Sequence, residues 1–267
     1  MASRTKQKEE ARARRLAEER ALAERARQRR RYQMIGGVVL AAIAIVAVAI
    51  ALSVGGGKSS PPKNLNSSKA RNVVSPSNRL LAGIPQSGPT LGSPSAKVTV
   101  TEYGDLQCPI CKDFAESGEQ TLISKDVRQG QVRLVYKSLA TATLNGPNPN
   151  VFPTQQAAAY AAGLQNRGWY YILNFYRLQG QENTNYVTPS YLNGVARLVP
   201  GLNFAKWSSD RTSSNLTQQV TSEENTAKSL GLNSTPTLIV QGPKGQAQPV
   251  AGDIPYNSIE QLIKSVS

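Results

Sequence analysis

Apolar and polar positions follow one another along the chain in three distinct regimes. Over residues 34–54 they do not alternate at all: MIGGVVLAAIAIVAVAIALSV runs for twenty-one residues without a charge. Over 55–80 apolar residues are sparse among Gly, Ser, Pro and Asn. From about residue 81 onward, short periodic segments succeed one another. AKVTVTEY alternates with the two-residue period of a half-buried strand, and QVRLVYKSL and TPTLIVQG are two further β-rich runs. CPICKDFAESGEQTLI follows the first run and predicts one helix, with Pro109 accommodated in its first turn. Between Gln155 and Leu230 the patterns are mostly helical. TQQAAAYAAGLQ is Ala-rich and WYYILNFYRLQ is amphipathic. TPSYLNGVARL opens with Thr188 as a cap before Pro189, and Gly231 stands where a helix would stop. QAQPVAGD suits an edge strand and YNSIEQLIKSV a closing helix. The predicted order is strand–helix–strand, a helical block, then strand–strand–helix: an α/β domain.

The uncharged run matches the hydrocarbon thickness of a bilayer, about 30 Å at roughly 1.5 Å per helical residue. A cleaved signal peptide normally carries only about 7–15 apolar residues behind a short basic lead. Here the lead is long: residues 1–33 hold twelve Lys/Arg against five Glu, a net of +7 in a chain of +14. The expectation is therefore a single transmembrane helix over 34–54 that stays attached. The RARQRRRYQ flank places the N-terminus in the cytoplasm, because basic residues are retained on that side. Residues 1–33 then form a basic, solvated cytoplasmic helix. Membrane orientation accounts for its charge without invoking nucleic acid. Residues 55–80 read as a flexible extracytoplasmic linker, and a folded domain of 81–267 follows outside the membrane.

That location changes the meaning of the chain's two cysteines, Cys108 and Cys111. Oxidising compartments permit disulfides, but a bridge across three positions closes almost no loop and would staple little. Zinc normally takes four ligands, and one Cys pair in a chain without His supplies only half a site. The lack of His also excludes Cys–His and Ser–His catalysis within the chain. No metal or other cofactor is expected. A Cys-X-X-Cys at a helix start has a different logic. The first sulfur lies where free N–H groups and the helix dipole favour a thiolate, and the second can close the ring or resolve a mixed disulfide. Glu102 shares a strand face with Val98 and Val100, so alternation carries its carboxylate inward beneath that helix, where burial raises its pKa.

With EYGDLQCPICKDF and LGLNSTPTLIV in view, residues 81–267 resemble the DsbA-like branch of the thioredoxin superfamily, most of all its membrane-tethered bacterial members. The resemblance implies a thioredoxin fold with a helical insertion at about 153–232. It implies that Cys108 is the exposed nucleophile, Cys111 the buried resolving thiol and Glu102 the buried acid. It also implies that Pro236 is cis and faces the cysteines, with Thr235 offering a backbone edge to substrate beside Pro109 and Ile110. Asp105 is read as a motif residue facing solvent, and Lys137 as a candidate partner for Glu102. Ile110 brings no charge or side-chain donor to the thiolate, so a milder oxidant is expected than members with Pro-His between the cysteines.

The function implied is a thiol–disulfide oxidoreductase that forms disulfides in cysteine-containing exported proteins and is reoxidised by a quinone-linked membrane thiol oxidase. The motif leaves the direction open, since potential and partner set it. A reductase, for example in haem attachment, and a redox-responsive binding module without turnover are the alternatives.

Overall fold

A computed structural model describes residues 64–267. The basic segment expected over 1–33, the membrane span expected over 34–54 and the first part of the linker lie outside the described residues. Among the described residues no helix is long and apolar enough to cross a membrane.

The linker expected over 55–80 does not extend to residue 80. Helix α1 (Ser68–Leu81) occupies its second half, started by Ser67, whose hydroxyl accepts from the Ala70 N–H. Ala70, Val74, Ser77 and Leu81 recur at helical spacing and are all buried. Two of them are small residues in a Ser- and Asn-rich stretch that also carries Pro76, which is why the stripe reads as linker. Among the described residues the core accordingly begins at Leu65 rather than beyond residue 80.

Seven strands form the described sheet in the order β1–β2–β4–β3–β5–β6, with β7 also on β5. β1 (Gln86–Ser87) and β2 (Thr90–Leu91) make an edge hairpin. β3 (Val98–Gly104) lies parallel to β4 (Val132–Ser138) and antiparallel to β5 (Thr237–Gly242). β6 (Gly245–Gln246) and β7 (Val250–Ala251) finish the β5 side. The parallel pair requires a crossover, which α2 (Pro109–Glu116) and α3 (Gly118–Leu122) supply. The single helix expected over this segment is broken at Ser117, whose backbone leaves helical geometry at φ −122°, ψ −96°. Gly118 is the reason the break is tolerated. A Cβ there would lie 2.1 Å from the Ile254 carbonyl oxygen, so only glycine lets the two backbones meet.

After β4 come the short helix α4 (Ala142–Asn145) and the helical block α5 (Phe152–Gly163), α6 (Gly168–Leu178), α7 (Pro189–Arg197), α8 (Phe204–Asp210) and α9 (Ser214–Ser229). Thr188 caps α7 by accepting from the Tyr191 N–H. α5 is buried nearly all round, and its alanines let neighbours approach closely. α6 carries the large side chains Trp169, Tyr171, Phe175 and Tyr176, all inaccessible to solvent. Both buried indoles find partners: the Trp169 N–H donates to the Pro89 carbonyl at 2.8 Å, and that of Trp207 on α8 to the Ala158 carbonyl at 2.8 Å. α10 (Tyr256–Val266) closes the chain.

The sheet is covered on both faces. Val98, Val100 and Glu102 lie opposite Val132, Leu134 and Tyr136 in the β3–β4 register, and Trp169 packs edge-on against Tyr136. On the other face Tyr103 and Ile239 join Leu139 and Ala227 in a smaller cluster beneath α9.

Candidate active site

The C-terminal end of β3 delivers the chain to Cys108, which caps α2 with extended backbone (φ −72°, ψ 121°). Its Sγ accepts from the Cys111 N–H at 3.4 Å, and Pro109 occupies the first helical turn, where no N–H is needed. The same sulfur donates to the Thr235 carbonyl at 3.4 Å. The Thr235–Pro236 peptide is cis, and both residues are buried beside the cysteine pair. Structure thus brings together Cys108, Cys111, Pro109, Thr235 and Pro236. Ile110 stands at the rim, 42% exposed. Cys108 differs from the exposed thiol expected: it is only 5% accessible, because Thr235 covers it from the side.

Both cysteines are free thiols here, and their environments separate them. The contact with the Cys111 thiol draws Cys108 down to about 7 from an ordinary 9.0. Burial opposes this, and Thr235 together with the N–H groups of Cys111 and Ile110 assists it. Cys111 is wholly buried, and desolvation first, then the neighbouring Cys108 and Glu102, pushes it well above the usual thiol range. A pair so split has one sulfur that ionises readily near neutrality and one that holds its proton.

Glu102 does point inward. It is fully buried on the face of β3 beneath α2, paired in register with Tyr136. Burial raises it to about 7, with Glu119 acting in the opposite sense. Lys137 is not its partner. One strand position further on, Lys137 emerges on the opposite face and lies over the Tyr103 ring at 5.7 Å.

Asp105 is the clearest departure from expectation. It is inaccessible to solvent, and its carboxylate accepts five hydrogen bonds. One oxygen takes those of the Gln107 N–H (3.0 Å), the Thr143 hydroxyl (2.6 Å) and the Gln155 amide (3.1 Å). The other takes the N–H groups of Thr141 (3.0 Å) and Thr143 (2.8 Å). Thr141 in turn shares a hydrogen bond with the Thr235 hydroxyl. Asp105 therefore fixes the segment after β4 against the active-site turn and, through Thr141, against the cis-proline turn. Gln179 completes the frame by donating to the carbonyls of Leu106 (2.8 Å) and Cys108 (3.0 Å). Sequence reasoning missed Gln179, Gln155 and Thr141, which reach the site from distant segments. The Asx-turn from Asp105 to the Gln107 N–H was the one local signal available for Asp105.

A helix-capping thiol of lowered pKa, one turn from a buried thiol and against a cis-proline turn, defines a thiol–disulfide oxidoreductase. The chain belongs to the thioredoxin family, whose model matches residues 86–264. Among its relatives, a probable disulfide bond formation protein D from Bacillus anthracis is 23% identical over 154 residues, 57% of this chain and 69% of that protein. Among solved structures, oxidised BdbD from Bacillus subtilis superposes with a TM-score of 0.57 at 19% identity, covering 69% of this chain and 96% of that one. Pseudomonas aeruginosa DsbA2 gives 0.51 at 18% identity over 69% and 97%. The fold is thus of the DsbA type.

Proposed function

We propose that this protein forms disulfide bonds in exported, cysteine-containing proteins, held at the outer face of the cytoplasmic membrane by a single helix over residues 34–54. In the oxidised enzyme Cys108 and Cys111 are joined. A substrate thiolate attacks the Cys108 sulfur, the intramolecular bond breaks, and its electron pair leaves on Cys111, which takes up a proton. A second substrate thiolate then attacks the substrate sulfur of the mixed disulfide, and Cys108 departs as a thiolate. The substrate has lost two electrons and the enzyme has gained them. A quinone-linked membrane thiol oxidase would collect those electrons, and a shared membrane would keep the two in proximity.

The observation that carries this reading is the split between the sulfurs: Cys108, near 7, is a good leaving thiolate, and Cys111 is not. A reduced form stabilised as thiolate makes the disulfide easier to reduce and therefore oxidising toward ordinary thiols. The name of the Bacillus relative points the same way. Thr235, beside the nucleophile, would present its backbone to an extended substrate segment, with Pro109, Ile110 and Pro236 framing the contact. The Ile110 side chain supplies no donor, so the potential should be milder than that of the strongest oxidants in the family. Glu102 would act as the buried acid that exchanges a proton with Cys111.

The test is the redox state of the pair in growing cells together with trapping by Cys111→Ala. The expected result is a pair found mostly as disulfide, with exported proteins captured on Cys108 as mixed disulfides. A pair found mostly as dithiol would overturn the oxidising direction.

A further inference from the structure

Directly beneath Cys111 lies a cluster of buried polar groups that the cysteine chemistry alone does not explain. Glu102 and Glu119 are 0% and 1% exposed, their carboxyl groups lie against each other, and no donor from any other described residue engages their four oxygens. No described Lys or Arg forms an ion pair with either. The hydroxyls of Tyr136 and Tyr176 converge on the same region. A Cβ on Gly104 would stand 3.1 Å from each, and neither makes a well-formed hydrogen bond. The chain takes trouble to bring Glu119 here. The break at Ser117 and the contact between Gly118 and the Ile254 carbonyl turn α3 so that Glu119, unlike its exposed neighbour Gln120, faces the core. Two buried acids without a cation are costly unless they share protons.

We infer that Glu119 is a positioning residue for thiol exchange: as a neutral acid it steadies the Glu102 carboxyl and stabilises the charge left there when Glu102 passes its proton to the Cys111 sulfur. This rests on the exchange reading above. When the Cys108–Cys111 bond breaks, the electron pair arrives on a sulfur with no solvent access, and a proton must follow. Glu102 gives that proton and becomes a carboxylate, and Glu119 keeps its own. On reoxidation the proton returns from the Cys111 thiol to Glu102 as the thiolate attacks. Burial and mutual repulsion are consistent with this division: Glu119 is held well above the carboxylate range, whereas the contact with Glu119 lowers Glu102. The other titratable groups facing the pair are Cys111 from α2, Tyr136 from β4 and Tyr176 from α6; the tyrosines are raised by burial and stay neutral.

The experiment follows the Glu102 carboxyl directly, by NMR of glutamate-carboxyl-labelled full-length protein across pH, beside the pH profile of thiol exchange with a dithiol peptide. Glu119→Leu should raise the Glu102 midpoint by about 1–2 pH units, the worth of one hydrogen bond to a buried charge. The exchange profile should move with it. Glu119→Gln retains an N–H donor and should bring both midpoints back to within about half a unit of the parent, since the donor rather than the charge is what matters. Equal displacement in both variants, or an unmoved midpoint in a Glu119→Leu protein that still exchanges thiols, would overturn the inference. Should Glu119→Leu not fold, Glu119→Gln decides alone: a displacement of more than about one unit refutes the role. A parent protein that exchanges no thiols would instead sink the functional reading, with the carboxyl titration still readable.

Discussion

Glu102 and Asp105 stand three residues apart, and both are sealed from solvent. Their surroundings could hardly differ more. Asp105 accepts five hydrogen bonds from four residues, whereas neither oxygen of Glu102 has one of good geometry. A buried carboxylate surrounded by donors is a fixed point, because moving its charge or its atoms breaks several bonds at once. A buried carboxyl without them is easily protonated and stands next to the sulfur that must gain and lose a proton. On the function proposed above, one end of a single strand would thus separate two tasks, holding the turns together and handling the proton.

The sharpest way to break this contrast is Asp105→Ala. It strands the N–H groups of Thr141 and Thr143, each worth about 1–3 kcal/mol when buried and unsatisfied. A loss of at least about 3 kcal/mol in urea unfolding is expected. Glu102→Leu at pH 8 should leave stability unchanged or improve it, since it removes a buried acid without donors. Equal losses in the two variants would show that the acids play the same part.

Next in size is the pH dependence. Glu102 is raised from 4.5 to about 7, so its folded form prefers the proton. Its contribution is complete below the unfolded value of 4.5 and is lost as pH climbs through 7. The loss amounts to about 3 kcal/mol, and Glu119 adds in the same direction. Urea midpoints should therefore be higher at pH 5 than at pH 8, and Glu102→Gln should flatten the slope. A parent protein of equal stability at the two values would contradict the raised Glu102.

A smaller effect concerns the thiol itself. The Cys111 contact is the largest influence lowering Cys108. Replacing Cys111 with Ala should move the Cys108 midpoint, followed by thiolate ultraviolet absorbance, from about 7 toward the ordinary value of 9.0. An unmoved midpoint would assign the lowering to the backbone N–H groups instead. Smallest is Thr141→Val, which removes one hydroxyl link to Thr235 and should cost about 1 kcal/mol in unfolding. A loss several times larger would mean that the Asp105 frame itself had given way.

The sequence makes the Glu102 half of this contrast readable and hides the Asp105 half. Strand alternation places Val98, Val100 and Glu102 on one face, and two cysteines at a helix start announce their chemistry within four residues. Asp105 depends on donors supplied from residues 141, 143 and 155, a convergence that no local period encodes. Its local pattern accordingly reads as facing solvent. Glu119 is equally silent, because a polar residue in a five-residue helix has no periodicity to betray burial. Lys137 shows the opposite error: it lies one strand position past Tyr136, and the pleat turns it away from Glu102. Helix α1 was lost because half its buried stripe is alanine and serine, which carry little apolar weight.

Gln179 sits just beyond the last turn of α6 and grips two carbonyls of the segment that ends in the nucleophile. A helical block on a loose joint could swing over the cysteines as a lid and select clients by opening and closing. This block is stapled to the reactive turn itself, so any tilt would drag the sulfur along with it. On the function proposed above, selection among clients would then fall to the contour around Ile110 and Thr235, and a protein built this way would accept any unfolded chain that can lie down there.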